Sequence, residues 1–203
     1  MKIDPLILLS FQKHAHSHQG VFSHIDLKNL FLTSNPLIFN RKIKAFLQAG
    51  LLIRFSRGFY VTPDCNLEWL SQRIDPHSAL SCGTILAKQL VIGSIPNQTI
   101  YAVKKGRNRI YQSSVGRIIH LHLSSHLWFG YENSKTGVRQ ADPEKAFLDT
   151  LYFHLKGQKF SFNIYSDIDF SLLDQKKIHL YLKKYKNKKF QTFALSLLKG
   201  DSK

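Results

Sequence analysis

The chain is short of acid. Its 203 residues hold 13 Asp and Glu against 29 Lys and Arg, a formal net charge of +16 with a pI near 9.9. Such a balance favours nucleic acid or another anionic surface, because neutralising phosphates and releasing their counterions supplies sequence-independent affinity. Long apolar runs are also missing. None approaches the ~20 residues of a membrane-spanning helix, and the N-terminal MKIDPLILLSFQKHAHSH has too short an apolar stretch, and no small-residue cleavage site, for a secretory signal. A cytoplasmic protein with no membrane partner is expected. Two cysteines, Cys65 and Cys82, are too few for a disulfide framework and lack the spacing of a zinc or redox motif, so they read as packed free thiols. A Gly-rich phosphate loop and a Ser/His/Asp nucleophile motif are absent as well.

Histidine, by contrast, is plentiful. His14, His16 and His18 lie near His24, and His120 and His122 are followed by His126. Helical or strand spacing gives either group two ligands on one side, but no third at a matching position, so no metal and no cofactor is expected.

The most informative stretch is Pro36 to Pro63, PLIFNRKIKAFLQAGLLIRFSRGFYVTP. Ile38, Phe39, Ile43, Phe46 and Leu47 recur at helical spacing behind Pro36, leaving Asn40, Arg41, Lys42, Lys44 and Gln48 largely on other faces. Gly50 ends the helix, Leu51 to Phe55 reads as a strand, Ser56-Arg57-Gly58 as a turn, and Phe59 to Thr62 as its return. Upstream, Pro5 to about Ser17 and Asp26 to Phe31 supply two helices, the second capped by Ser23 or Asp26, with Val21-Phe22 a short apolar step between them. The order helix, helix, turn, helix, hairpin predicts a winged helix-turn-helix over residues 1–63. Asn40, Arg41, Lys42 and Lys44 are its candidates for the DNA major groove and flanking phosphates, and Arg54 and Arg57 for the wing. A small helical domain with a merely solvated basic face is the alternative.

Residues 64–203 read as a mixed α/β domain with a helical tail, making the whole chain α+β. Leu67 to Ile74 suggests a linking helix, and Pro76 the start of another with Ala79, Leu80, Ile85, Leu86 and Leu90 inward; Pro96 and Asn97 mark a turn. Thr99 to Val103 and Arg117 to Leu123 alternate as strands. Between them Lys104, Lys105, Arg107 and Arg109 form a second basic patch in a turn open to DNA, RNA or a protein. Asp142 to Leu155 is a helix with Asp142 at its cap and Pro143 in its first position. Within it Glu144, Lys145 and Asp149 need charged partners, for which Arg107 and Arg139 are candidates. The run DQKKIHLYLKKYKNKKF near the C-terminus is basic and amphipathic, which fits a solvated face, an RNA or DNA backbone contact or an anionic membrane surface; a solvated face that adds phosphate attraction is expected.

Several of these residues together resemble the AbiEi-type antitoxins, the transcriptional regulators of type IV toxin-antitoxin systems. They are Arg57-Gly58-Phe59-Tyr60-Val61, Ser78-Ala79-Leu80-Ser81, Tyr101-Ala102-Val103, Trp128-Phe129-Gly130 and, most specific, Asp142-Pro143-Glu144-Lys145-Ala146-Phe147-Leu148-Asp149. The resemblance implies an N-terminal domain that binds inverted repeats in double-stranded DNA of its own promoter and represses it. It further implies a C-terminal domain that opposes a nucleotidyltransferase toxin without a stable complex. A solitary winged-helix regulator without a toxin is a second possibility. The rival class is an enzyme. Ser166-Asp167-Ile168-Asp169 looks like the paired-aspartate motif of nucleotidyltransferases, in which two carboxylates hold magnesium, with Gly93-Ser94 as companion. More than seventy residues separate the two steps, so Asp167 and Asp169 read instead as a turn and an N-cap before a helix over Phe170 to Tyr185. No catalytic activity is expected.

Overall fold

The computed structural model describes residues 3–93 and 98–200, with backbone alone at 199 and 200. Among them the fold is α+β, with eight α-helices and two β-sheets. The chain divides into two compact units, residues 1–74 with 110–117, and residues 75–109 with 118–203.

The first unit runs α1 (Pro5–Ser17), β1 (Val21–Ser23), α2 (His24–Leu30), α3 (Pro36–Gln48), β2 (Ile53–Ser56), β3 (Phe59–Val61) and α4 (Leu67–Ile74). Side chains start the first three helices. Asp4 accepts from the Leu6 amide, and Asn35 from the amides of Leu37 and Ile38 behind Pro36. Ser23 and Asp26 share the start of α2 as a reciprocal capping box, each accepting from the other's amide. The apolar step Val21-Phe22 is a third strand: β1 pairs antiparallel with β3, Val21 opposite Val61, in the order β1-β3-β2. Gly20 permits this, since a Cβ there would lie 2.3 Å from Thr62 Oγ1. The core is mainly aromatic, with Phe11, Phe22, Phe31, Phe39 and Phe46 around Leu27, Ile43 and Leu52. Phe11 stacks on Phe22 at 5.2 Å and meets Phe46 edge-on at 5.0 Å. Ile38, expected in the packed stripe, is 44% exposed, because Phe39, Ile43 and Phe46 fill the contact from a direction that leaves it at the border.

The later elements are β4 (Ala79–Leu80), α5 (Gly83–Lys88), β5 (Thr99–Lys104), β6 (Arg109–Ser113), β7 (Gly116–His122), β8 (Tyr131–Asn133), β9 (Arg139–Ala141), α6 (Pro143–Leu155), α7 (Gln175–Leu182) and α8 (Lys188–Gly200). The strands form one sheet in the order β6-β7-β5-β4-β9-β8. The helix expected from Pro76 is instead β4 followed by the short α5: Ala79 and Leu80 pair with Val103 and Ala102, and the chain turns at Cys82 with φ +52°. Leu90, expected inward, is 76% exposed. The turn at Pro96 and Asn97 lies outside the described residues. The helix expected over Phe170 to Tyr185 is broken into a 3₁₀ turn at Phe170–Leu172 and α7, which Asp174 caps by accepting from Lys177. Asp142 caps α6 as expected, accepting from the Lys145 amide at 2.8 Å.

Helix α6 packs against α5, α7, α8 and β9 and buries every residue from Glu144 to Leu151. Lys145 and Asp149, one turn apart and fully buried, form an ion pair with each other rather than with Arg107 or Arg139. The second Asp149 oxygen accepts from Ser81 Oγ at 2.7 Å and Tyr131 OH at 2.6 Å. Lys145 also donates to Tyr185 OH at 3.1 Å and lies 4.7 Å from the Phe129 ring centre. Burial, with Asp149 close by, pushes the hydroxyls of Tyr131 and Tyr185 and the thiol of Cys82 above their ordinary values, so all three stay protonated. Gly130 completes the cage: a Cβ there would come within 2.9 Å of Lys145 Cβ. At the same helix start Glu144 accepts from the Asp174 amide at 3.1 Å and pairs with Lys177 at 3.0 Å.

Removing one buried charge strands the other, so Lys145→Met is expected to cost about 3–5 kcal/mol in urea unfolding. The double change Lys145→Met with Asp149→Leu should recover part of that loss. Equal stability of parent and single variant would refute the pair's structural role.

Candidate nucleic-acid interface

The face of α3 turned from the core carries Leu37, Asn40, Arg41, Lys44 and Gln48, all exposed. Phe39, Ile43 and Phe46 anchor the opposite side, so helical periodicity fixes the outward set. In the same unit, β2 and β3 form a hairpin turning at Arg57-Gly58, with Gly58 at φ +83°. Arg54, opposite Tyr60, and Arg57 at the tip are both exposed. The His24 amide donates to the Gly58 carbonyl at 2.8 Å, tying the tip to the start of α2. Neither α3 nor the hairpin contains an acidic residue. Among the described residues, the side chains of Asn40, Arg41, Lys44, Arg54 and Arg57 make no hydrogen bond or ion pair within the chain. Of the two acids that flank this stretch in sequence, Asp26 is paired with Arg73 at 2.5 Å, and Asp64 lies beyond the hairpin, seven residues after Arg57.

Lys42 differs from this set. It lies on the core side of α3, donates to the Phe31 carbonyl at 2.9 Å and sits 5.8 Å from the Phe31 ring centre. Its charge neutralises the C-terminal end of α2, so it holds the turn between the helices rather than projecting outward. Leu37, 71% exposed at the first turn of α3, and Gln48 share the outward face. Neither carries a charge signal that would single it out from sequence.

The second basic patch is divided in a similar way. Lys104 closes β5 and pairs with Asp75 at 2.8 Å, half withdrawn from solvent, whereas Lys105, Arg107 and Arg109 are exposed. His120 is buried near this pair. Burial first and the Lys104 charge second lower its value to about 4, against the opposing pull of Asp75. The two carboxylates of the enzyme reading are occupied by their own turns. Asp167 accepts from the Asn163 amide at 2.7 Å and Ser166 Oγ at 2.7 Å, and Asp169 from the Ser171 amide at 2.9 Å and Ser171 Oγ at 2.6 Å. Ser94 of the companion step lies outside the described residues. Among the described residues no three His, Cys, Asp or Glu side chains group so as to hold a metal ion, and no helix is long and apolar enough to cross a membrane.

The sequence matches no protein-family model and no curated protein. Among solved structures, the crystal structure of the RV2827C protein from Mycobacterium tuberculosis is similar over 98% of this chain and 78% of that one, with a TM-score of 0.64 at 11% identity. The likeness is one of fold.

Because the folded protein disfavours protonated His120, its contribution is complete above the unfolded value of about 6.5 and is lost as pH falls towards 4. Between pH 7 and 4.5 a His120→Leu protein should lose about 2 kcal/mol less stability than the parent, by the linkage of 1.36 kcal/mol per pH unit. Parallel pH profiles in urea unfolding would refute the assignment.

Proposed function

We propose that this chain is a DNA-binding transcriptional autorepressor built on a winged helix-turn-helix, and an antitoxin of the AbiEi type without catalytic activity of its own. The observation that carries the DNA-binding part is the coincidence, in one compact unit, of an acid-free helix face and an acid-free hairpin tip whose cations are free of internal partners. On this reading α3 enters the major groove, with Asn40 and Arg41 reaching base edges and Lys44 a flanking phosphate. Arg54 and Arg57 of the hairpin, the wing, grip the adjacent backbone. A helix lying in the groove needs uncommitted donors on its outward face, and Asn40, Arg41 and Lys44 supply them.

The antitoxin part rests on the resemblance of the Asp142–Asp149 block and the shorter motifs around it. That block is a core-forming device in α6, so its likeness speaks for a shared domain type and assigns no surface residue to toxin neutralisation. The partner implied is a nucleotidyltransferase encoded beside this gene, opposed without a stable complex. A solitary regulator, with no toxin beside it, is the variant of this reading, and a neighbouring gene whose expression arrests no growth would favour it.

In a salt-titrated gel shift on DNA upstream of its own gene, the protein should bind in preference to an unrelated duplex of equal length. Arg41→Ala should weaken specific binding by about 1–3 kcal/mol, whereas Arg57→Ala should lower affinity for both duplexes and reduce the salt slope by about one. Indifference to both substitutions would remove the winged-helix assignment. For the antitoxin part, the Arg41→Ala, Arg57→Ala double variant should still relieve growth arrest when co-expressed with the neighbouring nucleotidyltransferase. Protection that vanishes with DNA binding would assign the effect to repression.

A further inference from the structure

A cleft of about 660 Å³ opens between the turn after β5 and the C-terminal end of α6, and a second cavity of about 410 Å³ borders the same segment, the two sharing Gly157 and Gln158 in their linings. Their linings differ in chemistry. The first presents Arg107, His122 and Lys156; the second presents the aromatic rings of Phe160, Phe162 and Tyr165 beside His154. No acidic residue lines either one. Arg107 and Lys156 are exposed and, among the described residues, neither makes an ion pair, although the Lys156 ammonium lies 4.3 Å from the Tyr152 ring centre.

The walls are held in place. The His122 amide donates to Asn108 Oδ1 at 2.6 Å and the Leu123 amide to the Lys104 carbonyl at 2.9 Å, fixing the basic turn to β7. The end of α6 would repel an anion through its last carbonyls if they were bare. Two of them are satisfied within the chain, since the Lys156 and Gln158 amides donate to the Phe153 carbonyl and the Gly157 amide to that of His154. On the aromatic side, Asp167 accepts from the Asn163 amide and Asn163 Oδ1 from the Tyr165 amide, shaping the turn on which Tyr165 stands 59% exposed. The Tyr165 ring meets His154 edge-on at 6.0 Å. With 59% of the residue exposed, ring surface remains available to a planar partner.

Cations that track a phosphate, continuous with aromatic faces on which a base can stack, make up the chemistry by which proteins hold single-stranded nucleic acid. We infer that this two-part groove in the second unit binds a single-stranded nucleic acid segment, the phosphodiester against Arg107, His122 and Lys156 and an adjoining base against Tyr165. This role is separate from duplex binding by α3 and the wing and does not depend on it. RNA and single-stranded DNA share the required chemistry.

The test is fluorescence anisotropy with end-labelled ten-nucleotide oligo(U) and oligo(dT). The full-length protein carries Arg41→Ala and Arg57→Ala, so that the α3 and wing surface contributes little, and polyphosphate serves as competitor. Tyr165→Ala should weaken binding about tenfold, within the usual range for one stacked base. Lys156→Ala or Arg107→Ala should weaken it and lower the salt slope by about 0.7, one phosphate's share for a single strand. Binding of either strand with this pattern supports the groove, and the tighter arm names the sugar. Affinity unchanged by Tyr165→Ala, or an abasic strand that binds as well as the intact one, would overturn it. So would polyphosphate that competes as well per charge as the oligonucleotide, because each result leaves only charge attraction. All three side chains are exposed, and matching thermal melts would confirm that the variants fold.

Discussion

The ion pair between Lys145 and Asp149 is the constraint on which the second unit depends. Two charges withdrawn from water are tolerated only if every remaining donor and acceptor is met. Here that requirement recruits Ser81 beside β4, Tyr131 of β8, Tyr185 between α7 and α8, and the ring of Phe129. Elements distant in sequence are thereby brought to one helix, and their register against α6 is set by hydrogen bonds as well as by apolar packing. An apolar core of the same volume would tolerate small slips of these elements; a satisfied polar cage does not.

The scarcity of acid takes on meaning once the acids are located. Asp4, Asp26, Asp142, Asp169 and Asp174 satisfy amides at the starts of helices or of the 3₁₀ turn. Asp75, Asp149 and Glu144 are bound to lysines, and Asp167 closes its own turn. The carboxylates are largely spent inside the fold, so much of the surface cation is left without an internal counter-charge. That distribution, more than the net charge itself, leaves α3, the hairpin and the α6 cleft open to phosphate.

Legibility from sequence followed the locality of the forces. Helices that begin at their own caps, α1, α3 and α6, could be read closely, because Asp4, Asn35-Pro36 and Asp142-Pro143 act within one turn. Elements that exist by long-range pairing were harder to read. Val21-Phe22 becomes a strand only because β3 lies beside it, and Ala79-Leu80 only because β5 and β9 flank it. Among the interface candidates, Asn40, Arg41, Lys44, Arg54 and Arg57 lie outward, as their spacing implies. Lys42 and Lys104 are held by the Phe31 carbonyl and by Asp75, partners that no local pattern announces. Lys156 and His122 had no motif around them, since the cleft they line is made by the meeting of a turn and a helix end. For Glu144, Lys145 and Asp149, the need for charged partners was readable but their identity was not.

The close fit of Gly130 against the Lys145 stem has a consequence for tracing ancestry. A lineage that retains the buried ammonium is obliged to retain a residue without a Cβ fifteen positions earlier, because φ +72° and the 2.9 Å approach both penalise any other side chain. Position 145 can therefore change while Gly130 stays, but position 130 cannot take a side chain while the buried ammonium stays. Such a coupled pair is a signature that can persist when overall identity has fallen to the level of the fold neighbour reported above, and it offers a residue-level way to sort true descendants of this domain from chains that share only its outline.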